Sequence, residues 1–327
     1  MNGQTNQVNE IKFTDIIKAS KCITPFIRET PLEYSRYYSN AIGASIYLKL
    51  ENIQLTGSFK IRGAIYSIFS LSEEDRANGI VAASSGNHGQ GIGFAARELN
   101  ISATIVVPKN TPINKIEAIR SYGVDLRIDG DFYDDSERIA HQIEVEEKKK
   151  FVSPYNDPIV IAGQGTIGIE MIHQNPEIDV IIVPIGGGGL FSGIAIAVKT
   201  MNPYIKVYGA QSEASPPMHE SLKQGKIVNT PMYDSIAEGL YGGIEEGSIT
   251  FPYVQKYCED VLLVSEQEIK EAIRSFLKYH HQACEGAAAV GLAALLRYPE
   301  LFKGHVVGVI ISGANLDYTT LKELLCK

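Results

Sequence analysis

The segment LTGSFKIRGA, residues 55–64, contains a lysine, Lys60, whose position could make its amine reactive. Phe59 and the apolar residues after Lys60 recur at helical spacing, and Ser58 is of a type that caps helix N-termini, so a helix is predicted to begin here. The helix dipole and burial beside Phe59 both disfavour a charged lysine, so the pKa of Lys60 should fall. A neutral amine suits Schiff-base chemistry. From spacing alone, a surface lysine at a helix start is the better interpretation, so other motifs must decide.

The loop SSGNHG, residues 84–89, follows the apolar run IVAAS and precedes a helical pattern. Hydroxyl groups, an amide and exposed backbone N–H groups at a helix N-terminus form a concave site that suits a carboxylate. A strand-to-helix turn without a ligand explains the same residues. This loop alone therefore does not identify a binding site.

The run GGGGL, residues 186–190, lies between a buried strand pattern and a helical pattern. Bare backbone N–H groups at a helix N-terminus can hold a phosphate. The rival interpretation is a dinucleotide fingerprint, but Phe191 or Ser192 stands where its last glycine is required, and Gln211 stands where an acidic residue is expected. A single phosphate is therefore the predicted ligand, and tight helix packing without a ligand is the remaining alternative.

A fourth loop of this kind lies in VVGVIISGANLD, residues 306–317, and all four loops follow short apolar runs that alternate with helical patterns. The predicted strands are 80–84, 103–107, 124–128, 180–185, 205–210, 261–264 and 306–312, and the predicted helices include 92–100, 113–123, 190–199 and 266–280. This alternation predicts an α/β fold with mostly parallel sheets. Loops at the carboxyl ends of such strands can converge on one site.

Length, composition and charge narrow the class of protein. The chain has 327 residues, of which 44% are hydrophobic, and this suits about two domains. A net charge of -8, with acidic and basic residues interspersed, argues against nucleic-acid and membrane partners and favours a small-molecule substrate. The four cysteines lack zinc-ligand spacing, and no signal peptide or membrane-length apolar run is visible, so a soluble cytoplasmic protein is expected. The charged stretch 141–150 is a candidate boundary between the two domains or, equally, a solvated helix face.

Taken together, SFKIRGA, SSGNHGQ, AGQGTIG (162–168), GGGGL and ISGAN resemble, in order and spacing, the fold-type II pyridoxal-phosphate enzymes. The similarity is greatest to threonine and serine dehydratases and serine racemase, and runs from about residue 12 to about residue 320. It implies the tryptophan synthase beta-like fold class: α/β, with two open, mostly parallel sheets. These sheets are expected in a large domain, residues 1–65 and 155–327, and a small inserted domain, residues 66–154. For AGQGTIG no role beyond a tight helix start is predicted.

The resemblance also implies a set of site residues around pyridoxal 5'-phosphate. Lys60 is implied to hold the cofactor as a Schiff base and to act as the general base. The other implied cofactor contacts are Phe59 beside the ring, Asn87 at the phenolic oxygen, Gly186, Gly187, Gly188, Gly189 and Leu190 at the phosphate, Gly239 through its backbone, and Ser312 at the pyridine nitrogen. The residues implied to receive the substrate carboxylate are Ser84, Ser85, Asn87 and His88.

The implied activity is β-elimination of L-threonine or L-serine, or both, to a 2-oxo acid and ammonia. Serine racemase and 3-hydroxyaspartate dehydratase are alternatives on the same scaffold. Ser85 matches the catalytic serine of the racemase pattern, but Gln211 stands in place of that pattern's first metal-binding glutamate, so no metal is expected. A non-catalytic sensor is disfavoured because Lys60 and the glycine run are both present. A homodimer or homotetramer is the family expectation.

Overall fold

A computed structural model of the protein describes residues 10–326. The α-helices are α1 Phe13–Ile23, α2 Arg36–Ile42, α3 Lys60–Phe69, α4 Glu73–Asn78, α5 Asn87–Glu98, α6 Ile113–Arg120, α7 Tyr133–Glu146, α8 Pro158–Gln174, α9 Gly189–Met201, α10 Pro217–Gln224, α11 Thr250–Tyr257, α12 Glu266–His280, α13 Gly286–Arg297 and α14 Tyr318–Leu325. The strands are β1 Leu32–Tyr34, β2 Ser45–Lys49, β3 Ile80–Ala83, β4 Ala103–Val107, β5 Asp125–Ile128, β6 Lys150–Phe151, β7 Val180–Pro184, β8 Lys206–Ser212, β9 Cys258–Val264 and β10 Val306–Ile310.

The larger sheet has the order β1-β2-β10-β7-β8-β9. Only the β1–β2 pair is antiparallel among its described pairs, and Val309 of β10 lies opposite Leu48 on one side and Ile182 on the other. The apolar residues of these strands are buried between helices, as unbroken β-branched runs predict for a sheet covered on both faces. Strands from both ends of the chain thus meet at the centre of this sheet.

The smaller sheet has the order β5-β4-β3-β6 and is parallel throughout its described pairs. The predicted α/β fold with two mostly parallel sheets is confirmed. The stretch 141–150 comprises the end of α7, residues 147–149 outside any helix or strand, and the first residue of β6, so part of it is a helix face. The domain boundaries at 65/66 and 154/155 stay a prediction; α3 runs through the first of them, and the four strands of the smaller sheet lie within 80–151.

Helix ends follow capping chemistry at some sites and not at others. At α12, which has the predicted bounds, Ser265 accepts from the Glu268 backbone while the Glu268 carboxylate accepts from the Ser265 backbone. At α3 the prediction that Ser58 caps the helix is wrong. Phe59 occupies that position, and Ser58 instead pairs with Gly313 as an isolated β-bridge. Because Ser58 is held from 255 positions away, local spacing could not reveal its role.

Glycines bring α3, α8 and α9 into very close contact. A Cβ atom on Gly163 of α8 would lie 2.6 Å from the Cα of Gly63 in α3, and one on Gly165 would lie 2.7 Å from the carbonyl oxygen of Gly193 in α9. Such distances are too short for a methyl group, so these positions require glycine. The prediction that AGQGTIG forms a tight helix start is therefore wrong: the motif lies in the middle of α8 and fixes the helices that begin at Lys60 and at the glycine run.

Within residues 10–326, the structure contains no helix long and apolar enough to cross a membrane.

Candidate active site

The four loops singled out in the sequence open onto one cavity of about 580 Å³ at the carboxyl ends of the strands. Every predicted site residue lines it: Phe59, Lys60, Ser84, Ser85, Asn87, His88, Gly186, Gly187, Gly188, Gly189, Leu190, Gly239 and Ser312. The structure therefore brings the predicted residues together, while the role of each one stays a prediction.

Lys60 is the first residue of α3, and its side chain reaches a carbonyl group on the other side of the cavity. The Nζ atom donates a hydrogen bond to the Pro154 carbonyl oxygen at 2.8 Å and lies 5.3 Å from the centre of the Phe59 ring. Burial lowers the pKa of Lys60 to about 8, and the negative charge of Glu285 opposes that change. A substantial neutral fraction near physiological pH is what a nucleophilic amine requires.

The backbone next to Lys60 is joined to the C-terminal part of the chain. The Phe59 N–H donates to the Ser312 carbonyl oxygen at 3.1 Å, which places the ISGAN loop beside the start of α3. Ser312 is buried and lines the cavity. One hydrogen bond thus fixes two predicted cofactor contacts relative to each other.

The glycine run turns tightly into α9, with Gly188 at the N-cap position and a φ of 89° that favours glycine. Tyr155 packs against the run so closely that a Cβ atom on Gly187 would lie 2.5 Å from its ring, and the Thr250 hydroxyl donates to the Gly187 carbonyl oxygen. The first N–H groups of a helix have no partner within that helix, and the dipole favours an anion there. These N–H groups suit a phosphate, and the cavity of about 580 Å³ that the loop shares with Lys60 has room for a pyridoxal ring.

The SSGNHG loop leads into α5, which begins at Asn87. The His88 imidazole is buried, and its Nε2 donates to the Val152 carbonyl oxygen at 3.0 Å. Burial, with the positive charge of Lys60 as a second cause, lowers the pKa of His88 to about 3. A neutral imidazole turned towards Val152 brings no positive charge to a substrate carboxylate. Any contact from His88 would come through its backbone N–H at the helix N-terminus.

A buried ion-pair cluster anchors α3 at Arg62, two residues beyond Lys60. Arg62 binds Glu51 through two hydrogen bonds of 2.8 Å and Glu170 through bonds of 2.6 and 2.8 Å. Lys49 joins the cluster through a 2.6 Å bond to Glu170. Because a carboxylate of α8 and one from the segment after β2 hold the same guanidinium, α3 cannot rotate without breaking several buried bonds.

Sequence reasoning missed the carboxylates of the cavity wall. The acidic lining residues are Asp134, Glu137, Glu238, Glu245, Glu285 and Asp317, whereas Lys60 and Lys115 are the only lysine or arginine residues among the described residues of the lining. Lys115 is paired with Glu238. Local motifs gave no signal for these carboxylates, since they come from five separate elements and loops. The electrostatic character of the cavity, apart from the phosphate loop, is therefore acidic.

Comparisons with known proteins agree with this geometry. The family model described as pyridoxal-phosphate dependent enzyme matches residues 23–313. An L-threonine ammonia-lyase of Thermotoga maritima is 42% identical over 317 residues, which cover 97% of this chain and 79% of the relative. An L-threo-3-hydroxyaspartate ammonia-lyase of Saccharomyces cerevisiae is 36% identical over 312 residues, which cover 94% of this chain and 95% of the relative.

Among solved structures, maize serine racemase superposes with a TM-score of 0.92 at 34% identity, covering 96% of this chain and 97% of that one. The family model spans most of the chain, and the relatives exceed 30% identity over nearly its full length. The predicted fold-type II architecture is confirmed, and the chain belongs to the family of pyridoxal-phosphate dependent enzymes.

Proposed function

We propose that this protein eliminates water from L-threonine, L-serine or both, and that the released enamine is then hydrolysed by water to a 2-oxo acid and ammonia. The observation that carries the proposal is the position of the Lys60 amine, at the start of α3 in the cavity that it shares with the glycine run. Burial lowers the pKa of this amine to about 8. The name and 42% identity of the Thermotoga maritima relative support threonine as the first substrate to test. Lys60 is the residue that we assign to both cofactor attachment and proton transfer.

When bound, pyridoxal phosphate supplies an electron-withdrawing ring that stabilises negative charge on the substrate Cα. Lys60, held near that atom by the start of α3, takes the Cα proton as general base. Gly186 to Gly189 and the α9 N-terminus hold the phosphate, and the SSGNHG loop receives the substrate carboxylate. Ser312, a buried residue of the cavity, would meet the pyridine nitrogen with a neutral hydroxyl, which would limit protonation of the ring and favour elimination over transamination.

The acidic wall argues against 3-hydroxyaspartate as the main substrate. Its second carboxylate would enter a cavity whose lining has six carboxylates against two lysines, one of them already paired with Glu238. Like charges in a confined site repel, and no arginine of the described lining compensates. A neutral side chain, as in threonine or serine, meets no such penalty.

Racemisation is the second candidate, and a specific observation favours it: Ser85 lines the same cavity as Lys60. A hydroxyl group on the opposite side of the substrate from Lys60 can return a proton to the other face of Cα. We expect elimination to dominate. Replacement of Ser85 by alanine should reduce racemisation and leave most of the elimination, because elimination needs no proton at that face.

One experiment tests both candidates. The cofactor-loaded protein is incubated separately with L-threonine, L-serine and L-threo-3-hydroxyaspartate, and 2-oxo acid, ammonia and the chirality of the remaining amino acid are measured. The proposal expects oxo acid and ammonia in equal amounts from threonine or serine, and little from hydroxyaspartate. D-serine that forms faster than pyruvate would establish the racemase instead. Faster turnover of hydroxyaspartate than of threonine and serine would show that the acidic wall does not exclude that substrate.

We further propose a cytoplasmic homodimer or homotetramer with a cleft that closes on substrate between a small domain, residues 66–154, and the rest of the chain. The four cysteines, Cys22, Cys258, Cys284 and Cys326, are unpaired, which suits a reducing compartment. No metal is expected to take part. Sedimentation velocity at micromolar concentration tests the assembly, and assays with and without a chelator test the metal.

A further inference from the structure

Glu285 is a buried carboxylate in the wall of the cavity, and the proposed chemistry does not use it. Its Oε1 atom accepts a hydrogen bond of 2.7 Å from Nδ2 of Asn87. Asn87 begins α5, beside the smaller sheet, whereas Glu285 precedes α13, which packs against the larger sheet. This bond therefore crosses the cavity wall between residues 198 positions apart.

A second hydrogen bond fixes which way the Asn87 amide faces. Nδ2 of Asn315 donates to Oδ1 of Asn87 at 2.6 Å and also to the Thr56 carbonyl oxygen at 3.0 Å. A backbone carbonyl can only accept, so it determines the orientation of the Asn315 amide, and Asn315 in turn determines that of Asn87. Flipping Asn87 would place an oxygen against the Glu285 carboxylate and two N–H groups against each other.

The Asn87 nitrogen keeps one hydrogen for a ligand. Nδ2 carries two hydrogens, and among the described residues only Glu285 accepts from it. Asn87 itself lines the cavity. The arrangement therefore presents an N–H donor, and not a carbonyl acceptor, to the cavity.

The surroundings of Glu285 are built to hold its carboxylate in this place. A Cβ atom on Gly313 would lie 2.6 Å from Oε1, so the glycine of ISGAN leaves room for it. The Glu285 N–H donates to the Gly313 carbonyl oxygen at 3.0 Å, and Glu285 occupies the N-cap of α13, where the dipole favours a negative charge. Burial still raises the pKa of Glu285 to about 7, opposed by the Asn87 bond and by Lys115.

We propose that Glu285 is a positioning residue that holds the Asn87 side chain with its N–H towards the phenolic oxygen of the cofactor, and so sets the affinity and absorbance of the bound cofactor. The proposal rests on the role proposed for Asn87. The hydrogen-bond chain runs from Thr56 through Asn315 and Asn87 to Glu285. The glycine of ISGAN ends it, because the Gly313 carbonyl oxygen accepts from the Glu285 N–H.

The test measures the cofactor dissociation constant and the absorbance maximum of the bound cofactor in three variants. Glu285→Leu removes the acceptor while filling the space, Glu285→Gln keeps an acceptor oxygen without the charge, and Glu238→Leu removes a different carboxylate of the same cavity. Losing one buried hydrogen bond should weaken cofactor binding about five- to tenfold in Glu285→Leu and shift its absorbance maximum. Glu285→Gln and Glu238→Leu should stay within about twofold of the parent, because both retain an oxygen acceptor for Asn87.

A double-mutant cycle with Asn87→Ala shows whether Glu285 acts through Asn87. In that background Glu285→Leu should cost nothing further. If Glu285→Leu fails to fold, as judged by circular dichroism of the cofactor-free protein, the smaller Glu285→Ala replaces it in the same cycle.

The proposal is overturned if Glu285→Leu leaves affinity and absorbance unchanged, if Glu285→Gln is as impaired as Glu285→Leu, or if the two losses add fully in the cycle. If Asn87→Ala weakens cofactor binding and Glu285→Leu does not, the role proposed for Glu285 is wrong and the proposed function is unaffected. If Asn87→Ala leaves cofactor affinity and absorbance unchanged, the roles proposed for Asn87 and for Glu285 are both wrong.

Discussion

Two lysines only eleven positions apart, Lys49 and Lys60, both have a pKa lowered by burial, yet their amines have very different partners. Lys49 is fully buried, whereas Lys60 lines the cavity and is partly exposed. Lys49 donates to the Thr30 carbonyl oxygen, to Glu170 and to Gln174 at 2.6, 2.6 and 3.2 Å, so all three of its N–H groups are used. Lys60 has one acceptor among the described residues, the Pro154 carbonyl oxygen. Burial lowers the pKa of both lysines, but Glu170 and Glu51 oppose it at Lys49, whereas at Lys60 only Glu285 does.

The difference shows that burial alone does not make a lysine reactive. A buried ammonium with three acceptors and a close carboxylate is a structural element, because deprotonation would break its ion pair. A buried ammonium with one neutral acceptor loses its hydration, and too few hydrogen bonds or ion pairs replace it, so its neutral form becomes accessible. The same replacement should therefore abolish turnover without loss of stability at Lys60, and reduce stability without loss of turnover at Lys49.

The largest effect is expected for Lys60→Met. Turnover of the cofactor-loaded protein should fall by about a thousandfold or more, because the general base is lost. The variant should also lose the covalently attached cofactor, measured by absorbance after gel filtration. Residual activity above a tenth of the parent would contradict the assignment of Lys60.

The same replacement should not destabilise the cofactor-free protein. Because the folded-state pKa of Lys60 lies below its ordinary value of 10.5, its charge opposes folding below pH 8. Lys60→Met should therefore equal or exceed the parent in free energy of unfolding at pH 7, and this advantage should shrink as the pH rises from 8 towards 10.5. Urea unfolding at several pH values measures it.

Lys49→Met should do the reverse and spare the chemistry. Removing Lys49 leaves two carboxylates, Glu51 and Glu170, with Arg62 as the one cation of the buried cluster, and this uncompensated charge costs about 3 to 5 kcal/mol of unfolding free energy. The remaining folded protein should retain most of its turnover per bound cofactor, because Lys49 does not line the cavity. A large loss of turnover in Lys49→Met at full cofactor occupancy would contradict the conclusion that Lys49 is purely structural.

The smallest expected effect is on pH dependence. The rate at which cofactor-free protein takes up pyridoxal phosphate should increase about tenfold per pH unit below 8 and level off above it, since only the neutral amine attacks. Lys49→Met should show the same profile. A rate that keeps rising to pH 10.5 would mean that the pKa of Lys60 is not lowered in the protein.

Some of these features could be predicted from local sequence and some could not. The position of Lys60 in the first turn of a helix, the glycine run at the start of α9 and the bounds of α12 follow from spacing and capping patterns, which act over a few residues. The depression of the Lys60 pKa was predicted with burial as one cause, and burial is the largest one.

The failures all depend on contacts between distant segments. Ser58 is paired with Gly313 and does not cap α3. AGQGTIG is placed in the middle of α8 by its fit against Gly63 and Gly193. Glu285 carries no local signal, since its partner Asn87 is far away along the chain. Spacing thus predicted which segments meet at the cavity, while their mutual fit required the folded structure.

The hydrogen bond from Phe59 to Ser312 also has a consequence for biosynthesis. Lys60 leaves the ribosome well before strand β10 and the loop that fix its helix, because these segments lie far later in the sequence. The strands of the smaller sheet are contiguous within residues 80–151, so they can pair while translation continues. Contacts between the two ends of the chain form late because their separation makes closure costly. The site around Lys60 is therefore completed only after the segment that contains Ser312 has been made, whereas the smaller sheet can form before that.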